Sequence, residues 1–290
     1  MAATISVVTP SYARDVENCR LMCESMDRHV TGHAMHYIVV GDEDRALFAP
    51  LAGPGRRIVA ASELLPRLWP AGTWRGRRYW WAPGLGLPVY GWHLQQLRKI
   101  AMTIAQPSER VMCVDSDNCF VRPLDLASLA AQPKVEHFVH EGKIGAELSS
   151  HVVWHANAYR LLGLPAPPLP ADDFIGPMIV WERAAAQAMA ERIEKTAGMP
   201  WWRALARLRH FSEYLIYGAA VATDPALAAR HARTAQSRCL TYWAGPALDE
   251  EGLARFVADL EPQQSAITIQ SHTHTPIDVI RRVMLRGAGG

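Results

Sequence analysis

An open α/β sheet flanked by helices is the fold this sequence predicts, and three observations predict it. First, ISVVTP at residues 5–10 is a short β-branched run ending at a proline, as suits a buried parallel strand. Second, residues 15–29 place Val16, Cys19, Cys23 and Met26 at helical spacing, with Leu21 and Met22 beside them. Third, two more apolar strands follow, MHYIVVGD and RRIVAAS, completing a strand, helix, strand, strand order. Ligands of such sheets bind outside the carboxyl ends of the strands. That rule gathers Thr9 to Tyr12, Asp42 and the pair Asp115/Asp117 along one edge.

The chain of 290 residues, 49% hydrophobic and 20% charged, is long enough to bury a sizeable core. Its net charge of +2 gives no global attraction for nucleic acid, so no nucleic-acid partner is expected. The start, MAATISVVTPSY, lacks a basic region followed by a long apolar one, and no apolar run approaches the roughly 20 residues of a membrane span. The five cysteines, Cys19, Cys23, Cys113, Cys119 and Cys239, are odd in number and form no CxxC. They read as reduced, packed side chains of a cytoplasmic protein without a structural zinc site.

Further along, LWPAGTWRGRRYWWAPGLGLPVYG (68–91) breaks the pattern and reads as a long irregular loop, the kind that serves as a lid or binding loop. WHLQQLRKIAMTIA is a helix leading into the strand VMCV. A short helix is expected over 125–131, a strand at VEHFVH, and a helix over HANAYRLLG ending at Gly163. A proline-rich loop, LPAPPLPADD, precedes the strand FIGPMIVW, which Gly176-Pro177 interrupts. ERAAAQAMAERIEKTAG is an alanine-rich helix with Glu191 and Lys195 one turn apart and Gly198 to end it. WWRALARLRHFSEYLIYGAAV continues with helical periodicity, and SAITIQ is a late strand running into HTHTP.

The chemistry concentrates at DSD. Carboxylates at i and i+2 of an extended segment share a side and can hold a hard divalent cation, Mn²⁺ or Mg²⁺, that keeps open positions for phosphate oxygens. D-S-D-N also suits a polar turn, but the apolar VMCV before it and CFVRPL after it favour the metal. His272 and His274 follow a strand as DSD does; both reach a metal if the segment stays extended, and one if it turns before Pro276. Glu213 lies in the apolar FSEYLIYG, where a carboxylate needs a partner: it is either a base or a surface residue paired with Arg209 or His210. Asp172 and Asp173 either cap the proline-rich loop or face a sugar hydroxyl. Lys99, beside Arg98, either neutralises a diphosphate or belongs to a solvated helix face. His151 and His155, four apart without the glutamate of HExxH, read as packing or surface histidines. The tryptophans of 68–92 and Trp201-Trp202, with Arg75, Arg77, Arg78, Arg203, Arg207 and Arg209 beside them, suit core packing, sugar stacking or peripheral contact with a membrane.

In order and spacing, VVTPSY, GWHLQQLRK, RVMCVDSDNCFVRP, DDFIGPMIVWER, FSEYLIYG and ITIQSHTHTP resemble the DxD-containing nucleotide-sugar glycosyltransferases of the GT-A fold, over nearly the whole chain. The resemblance is closest to a bacterial, largely uncharacterised group with a GWxxQQ…K helix before the aspartates. It implies one GT-A-like domain over 1–290, with a Rossmann-like open mixed sheet, a nucleotide-binding half over 1–122 and an acceptor-binding half over 123–290. It implies that Thr9, Pro10, Tyr12 and Asp42 hold the base and ribose of a UDP-sugar. Asp115 and Asp117 would then bind metal and diphosphate, with Ser116 in the donor-binding set and Lys99 at the donor phosphate or sugar. A histidine after a late strand, as in glycogenin-like enzymes, would complete the metal site: His272, or His274 in another register. The Gly176-Pro177 turn would shape the sugar pocket. The acceptor would be a glycan, a lipid-linked or another hydroxyl, in an enzyme acting in the cytoplasm or peripherally at the inner face of a membrane.

Inversion at the sugar would require a carboxylate base on the acceptor hydroxyl, Glu213 first and Asp173 second; retention would require none. Three rivals stand beside this reading. A haloacid-dehalogenase-type phosphatase wants Thr or Val where Cys119 stands, and a nucleotidyltransferase wants a glycine-rich loop where TPSYARD has none. The third is a non-catalytic carbohydrate- or lipid-binding module with a structural ion at DSD.

Overall fold

A computed structural model describes residues 3–66, 68–75 and 77–286. Its central sheet is built from β1 (Ile5–Pro10), β2 (His36–Val40), β3 (Arg56–Ala60), β7 (Arg110–Val114) and β12 (Met178–Glu182), in the spatial order β12-β7-β1-β2-β3. The last four are parallel, and β12 joins the edge antiparallel, Met178 opposite Val114. The sheet is mixed and open, as the sequence predicts.

Alternation along these strands sorts side chains into two cores. Val8, Val39, Val59, Val111, Cys113, Ile179 and Trp181 face one core; Val7, Ile38, Val40, Ile58, Met112, Val114 and Val180 face the other. The second core is covered by α1 (Val16–His29) through Cys19, Met22, Cys23 and Met26. The first is covered by three helices, α2 (Gly91–Ala105), α4 (Arg183–Ala197) and α6 (Glu213–Thr223). Nearly every strand residue is therefore apolar on both sides, which is why these strands read as continuous hydrophobic runs rather than alternating ones. Among the described residues no helix is long and apolar enough to cross a membrane.

Three expectations are corrected here. The stretch 68–91 is ordered rather than irregular: β4 (Trp69–Trp74) and β5 (Arg77–Trp81) form an antiparallel hairpin, and β6 (Val89–Tyr90) pairs with β5. The alternation of RRYWW was masked by the surrounding Pro and Gly; Gly76 lies outside the described residues. The run 201–221 is two helices, α5 (Trp201–Arg207) and α6. Between them tertiary bonds replace helical ones: Arg209 Nη1 donates to the Pro88 carbonyl at 2.8 Å, the His93 ring meets the Arg209 carbonyl at 3.1 Å, and Phe211 is fully buried. Local propensity loses to these longer-range contacts. The strand after Gly176-Pro177 begins only at Met178.

Some of the other elements fall where the sequence reading puts them, and others, Ala171–Asp173 within the proline-rich loop among them, are strands that it does not expect. A helix covers Leu126–Ala130, capped by Asp125. β9 (Val135–Phe138) and β10 (His140–Ile144) come from VEHFVH and its continuation; α3 (Ser149–Leu161) precedes Gly163, and Gly198 ends α4 in the left-handed region. β11 (Ala171–Asp173) pairs with β10, and β13 (His231–Thr234) pairs with β9. A smaller sheet joins β8 (Asn118–Phe120), β14 (Cys239–Tyr242) and β15 (Ala266–Ile269). All five cysteines are free and buried.

Two predictions follow from packing and from buried histidines. A β-carbon on Gly218, mid-α6, would overlap the Phe174 ring. Helix propensity alone predicts that Gly218→Ala stabilises by roughly 1 kcal/mol. Overpacking predicts a net loss of about 1–3 kcal/mol, because the ring stacks on His137 and cannot retreat. Urea unfolding should show the loss.

His36 is wholly buried; Arg56 Nε can only donate, and it donates to His36 Nδ1 at 2.9 Å, so His36 is neutral with its proton on Nε2 toward Thr9 Oγ1, 3.0 Å away. Burial drives its pKa well below the ordinary value, and drives those of His93 to about 4 and His137 to about 3. Below about pH 6.5 the unfolded chain therefore takes up protons that the folded chain refuses, so the contribution of these histidines is full above that pH and falls toward pH 4. Burial raises Asp15 and Asp117, which works the other way, but they are outnumbered. Melting temperature should fall between pH 6.5 and 4, and His137→Gln should flatten that slope; a flat wild-type profile would contradict the assignment.

Candidate functional site

The carboxyl ends of β1, β2 and β7 lie at one edge of the sheet, which brings Ser11–Tyr12, Asp42–Asp44 and the DSD segment together as the sequence predicts. DSD itself is not extended. The Asn118 N–H donates to the Asp115 carbonyl at 3.2 Å, closing a turn directly after β7. Ser116 is buried in that turn and the Asp115 side chain is 40% exposed. The turn is tied down by Asn118, which sequence reasoning passed over: its Nδ2 donates to the Pro177 carbonyl at 3.1 Å, and its Oδ1 accepts from Thr268 Oγ1. One side chain thus joins the aspartate turn, the Gly176-Pro177 turn and the strand that leads to HTHT.

Lys99 is the centre of the site. It projects from α2 into the core, almost without solvent contact, and its three ammonium donors meet three acceptors. Nζ lies 2.7 Å from Glu213 Oε1, 2.9 Å from Tyr214 Oη and 3.2 Å from Asp115 Oδ1. Burial opposes the ammonium, but Asp115 and Glu213 outweigh it and hold Lys99 well above its ordinary pKa. The magnitudes explain the need for two carboxylates. Burying an ion costs several kcal/mol, whereas one pair at about 3 Å gains roughly 5 kcal/mol at an effective dielectric constant near 20. Burial also keeps Tyr214 a neutral phenol, free to accept from the lysine. Glu213 is thus neither on the surface nor paired with Arg209 or His210. It sits buried at the first turn of α6, where its own N–H donates to Gln96 Oε1 at 2.9 Å. Gln96 of GWHLQQ and the lysine after it therefore fix the start of α6.

Asp117 is held differently. Its Oδ1 is shut off from solvent and has no hydrogen-bond partner. Burial, then Asp115, then Asp15 push its pKa up to about 8, and burial with Asp115 pushes Asp15 up to about 6. Asp15, just before α1, is a third carboxylate that the sequence reading did not single out; nothing in its helix-start context distinguishes it from an ordinary cap. Three crowded carboxylates, one with an orphaned oxygen, are the donor chemistry of a hard cation. They do not form a closed ligand set: among the described residues no three or more His, Cys, Asp and Glu side chains are gathered to hold a metal. His272 and His274 follow β15 in a tight turn, His274 with φ at 58°, and both are exposed, so the extended arrangement that would align both rings is absent.

Of the other expected donor residues, Tyr12 is exposed close to Asp15 and Asp117, whereas Pro10 is buried and the Thr9 hydroxyl is turned inward to His36. Asp42 binds Ser62 through both its backbone N–H and its hydroxyl, a loop-closing role. Arg98 is buried rather than solvated: Nη1 donates to the Ser11 carbonyl at 3.3 Å, Nε is unpartnered, and the acidic run Asp42–Asp44 lies close enough to offset part of the burial that lowers its pKa.

On the far side of α6, Asp173 neither caps the proline-rich loop nor faces solvent. It is buried in β11, accepting from the Ile175 N–H at 3.0 Å and bonding His151 Nδ1 at 2.7 Å, while Asp172 pairs with Arg233. His151, read from sequence as packing or surface, is the half-exposed end of this dyad. Its ring lies 4.9 Å from Trp154, which lies 5.3 Å from Trp92. His155 is buried against the Pro167 carbonyl.

Fold and site define a mixed α/β protein with a carboxylate-rich, lysine-centred site at the carboxyl edge of its sheet. The chain belongs to a family of unknown function (DUF6492), whose model matches residues 2–285. A search of the curated proteins finds no match.

The site predicts a specific energetic signature. Lys99→Met strands two carboxylates and should cost about 3–5 kcal/mol in urea unfolding. Adding Glu213→Leu should restore a large part of that loss, because the buried charge goes with it; simple additivity of the two variants would contradict the pairing.

Proposed function

We propose that this chain is a metal-dependent glycosyltransferase, moving a sugar from a nucleotide-diphosphate donor, a UDP-sugar, to the hydroxyl of a glycan or lipid-linked acceptor. The observation that carries the reading is the buried Lys99 gripping Asp115 of the DSD turn from below while Asp117 keeps an orphaned buried oxygen beside it. A structural turn has no need of either feature. Asp115 and Asp117, with Asp15 alongside and His272 or His274 from the following turn, would hold Mn²⁺ or Mg²⁺. When bound, that cation supplies charge neutralisation for the departing diphosphate.

The remaining work belongs to this chain's own side chains. Lys99 fixes the position of Asp115 and adds positive potential beneath the diphosphate. Tyr12, exposed beside the carboxylates, offers a ring to the base, and Arg98 braces the loops that would surround it. Glu213, committed to Lys99, is not the base that the sequence suggested; its charge keeps the lysine in place. Asp173 is likewise engaged, and as a carboxylate it only accepts, so His151 donates from Nδ1, and in the neutral ring Nε2 is the acceptor. The reading assigns the proton transfer to His151. The acceptor oxygen bonds to the anomeric carbon, the bond from that carbon to the phosphate oxygen breaks with its electron pair leaving on the diphosphate, and the hydroxyl proton passes to His151 Nε2. Trp154 and Trp92 flank that position as stacking surfaces. The five free, buried cysteines suit a reducing, cytoplasmic setting.

Calorimetric titration of UDP, with GDP and CMP as comparisons, tests the donor half. Binding should require Mn²⁺, vanish with EDTA, and weaken at least tenfold in Asp117→Asn; folded protein that binds no nucleotide overturns the reading. The acceptor half predicts that His151→Asn lowers kcat by roughly 10²–10⁴-fold while UDP affinity is unchanged. Asp173→Asn should lower kcat and shift its pH profile, since it acts through the histidine.

A further inference from the structure

The β4–β5 hairpin has no role in the site described above. Every residue of β4 is exposed, and Trp69, Trp74 and Trp81 are 47%, 63% and 38% accessible. Their exposure is not random. Trp80 and its cross-strand partner Val89 turn inward, Val89 fully buried and Trp80 Nε1 donating to Glu43 at 3.1 Å. Side chains alternate along a strand, so Trp81 and Arg77 stand on the opposite face. Their register partners, Trp69 and Trp74, share it. At the turn Arg75 lies 4.7 Å over the Trp74 ring. Arg77 lies 5.3 Å over the Tyr90 ring and Trp81 Nε1 donates to the Gly86 carbonyl at 3.3 Å, so the result is a rooted arm whose one face carries exposed indoles and guanidinium groups in fixed places.

The charge around it is one-sided. Residues 68–91 and 199–212 hold six arginines and not one Asp or Glu, while the whole chain carries only +2, which leaves the remainder net acidic. The two segments are joined: Arg203 Nε donates to the Gly84 carbonyl at 2.8 Å, and Arg209 Nη1 to the Pro88 carbonyl at 2.8 Å. Exposed tryptophan and arginine together ask for a partner that is both anionic and apolar just beneath its surface. Residues 68–91 contain no Asp, Glu, Asn or Gln, the side chains that would bind sugar hydroxyls by accepting. That composition disfavours a neutral glycan.

We infer that this hairpin docks the protein on an anionic lipid bilayer, its indoles at headgroup depth and Arg75 and Arg77 on the lipid phosphates. Trp80 and Tyr90, at the base of the arm, join it to the sheet edge and to α2, so docking would bring the lysine-centred site to the membrane surface. The inference goes beyond the transferase reading and stands without it.

Vesicle flotation tests it, with phosphatidylcholine alone and with phosphatidylglycerol added, on the full chain. Wild type should float with the anionic vesicles, less so at high salt, and not with the neutral ones. Trp69→Ser/Trp74→Ser/Trp81→Ser and Arg75→Glu/Arg77→Glu should each weaken binding at least tenfold, with melting temperature and far-UV circular dichroism unchanged as checks on folding. Absent flotation of wild type, or equal flotation of the variants, overturns the inference. So does binding of a soluble acidic polysaccharide at the same residues without vesicle binding, which would make the arm a glycan platform.

Discussion

A single buried positive charge sets the terms for the rest of this structure. Lys99 has almost no access to water, so the chain must bring acceptors to it, and the acceptors come from two distant places: Asp115 at the end of β7 and Glu213-Tyr214 at the start of α6. That requirement locks the helix before the DSD turn to the helix that closes the core above it. Gln96, one turn earlier on α2, reinforces the junction by capping α6 at the Glu213 N–H. Weakening the lysine is therefore expected to disturb the aspartate turn and the acceptor-side helix together, which is how a structural charge becomes a functional one.

Around this centre the two halves are held by different means. At the sheet edge the carboxylates of Asp15, Asp115 and Asp117 crowd one another, and Asn118 pins the turn that carries two of them. That arrangement is unfavourable in isolation and needs positive charge from above as well as from Lys99 below. Around His151 the carboxylate is already satisfied. Asp173 orients His151 beside a run of aromatic rings, Trp154 then Trp92, that reaches Phe211 and the start of α6. A site with unmet electrostatic demand on one side and a poised, oriented histidine on the other suits transfer between an anionic donor and a neutral hydroxyl.

Much of the fold is legible in the sequence because the central strands are apolar on both faces and the helices between them are periodic. The open mixed sheet, α1, α2, α4 and the position of DSD after β7 could all be placed from pattern alone. What could not be placed depends on contacts far apart in the chain. Glu213 meets Lys99 across 114 residues of sequence, and nothing local to FSEYLIYG names its partner. The break between α5 and α6 is imposed by Pro88, His93 and a buried Phe211, against strong local helical preference. The hairpin at 69–81 hid because its alternation is short and its neighbours are Pro and Gly. From sequence Arg98 reads, with Lys99, as either a diphosphate neighbour or part of a solvated helix face, and His151 as a packing or surface residue; only the fold shows one buried and the other oriented by a carboxylate. The HTHT segment was left with both histidines open as ligands, and the tight turn through His274 removes the extended arrangement alone.

The account rests on the DSD turn being a donor site and not a decorated loop. Anomalous diffraction from crystals grown with Mn²⁺ and UDP tests that most directly, because it reads position rather than affinity. The predicted result is one strong manganese peak against the Asp117 and Asp115 carboxylates, bridged to the diphosphate, with Lys99 still paired to Asp115 and Glu213. A nucleotide seated elsewhere, or manganese absent from an intact DSD turn, would contradict it.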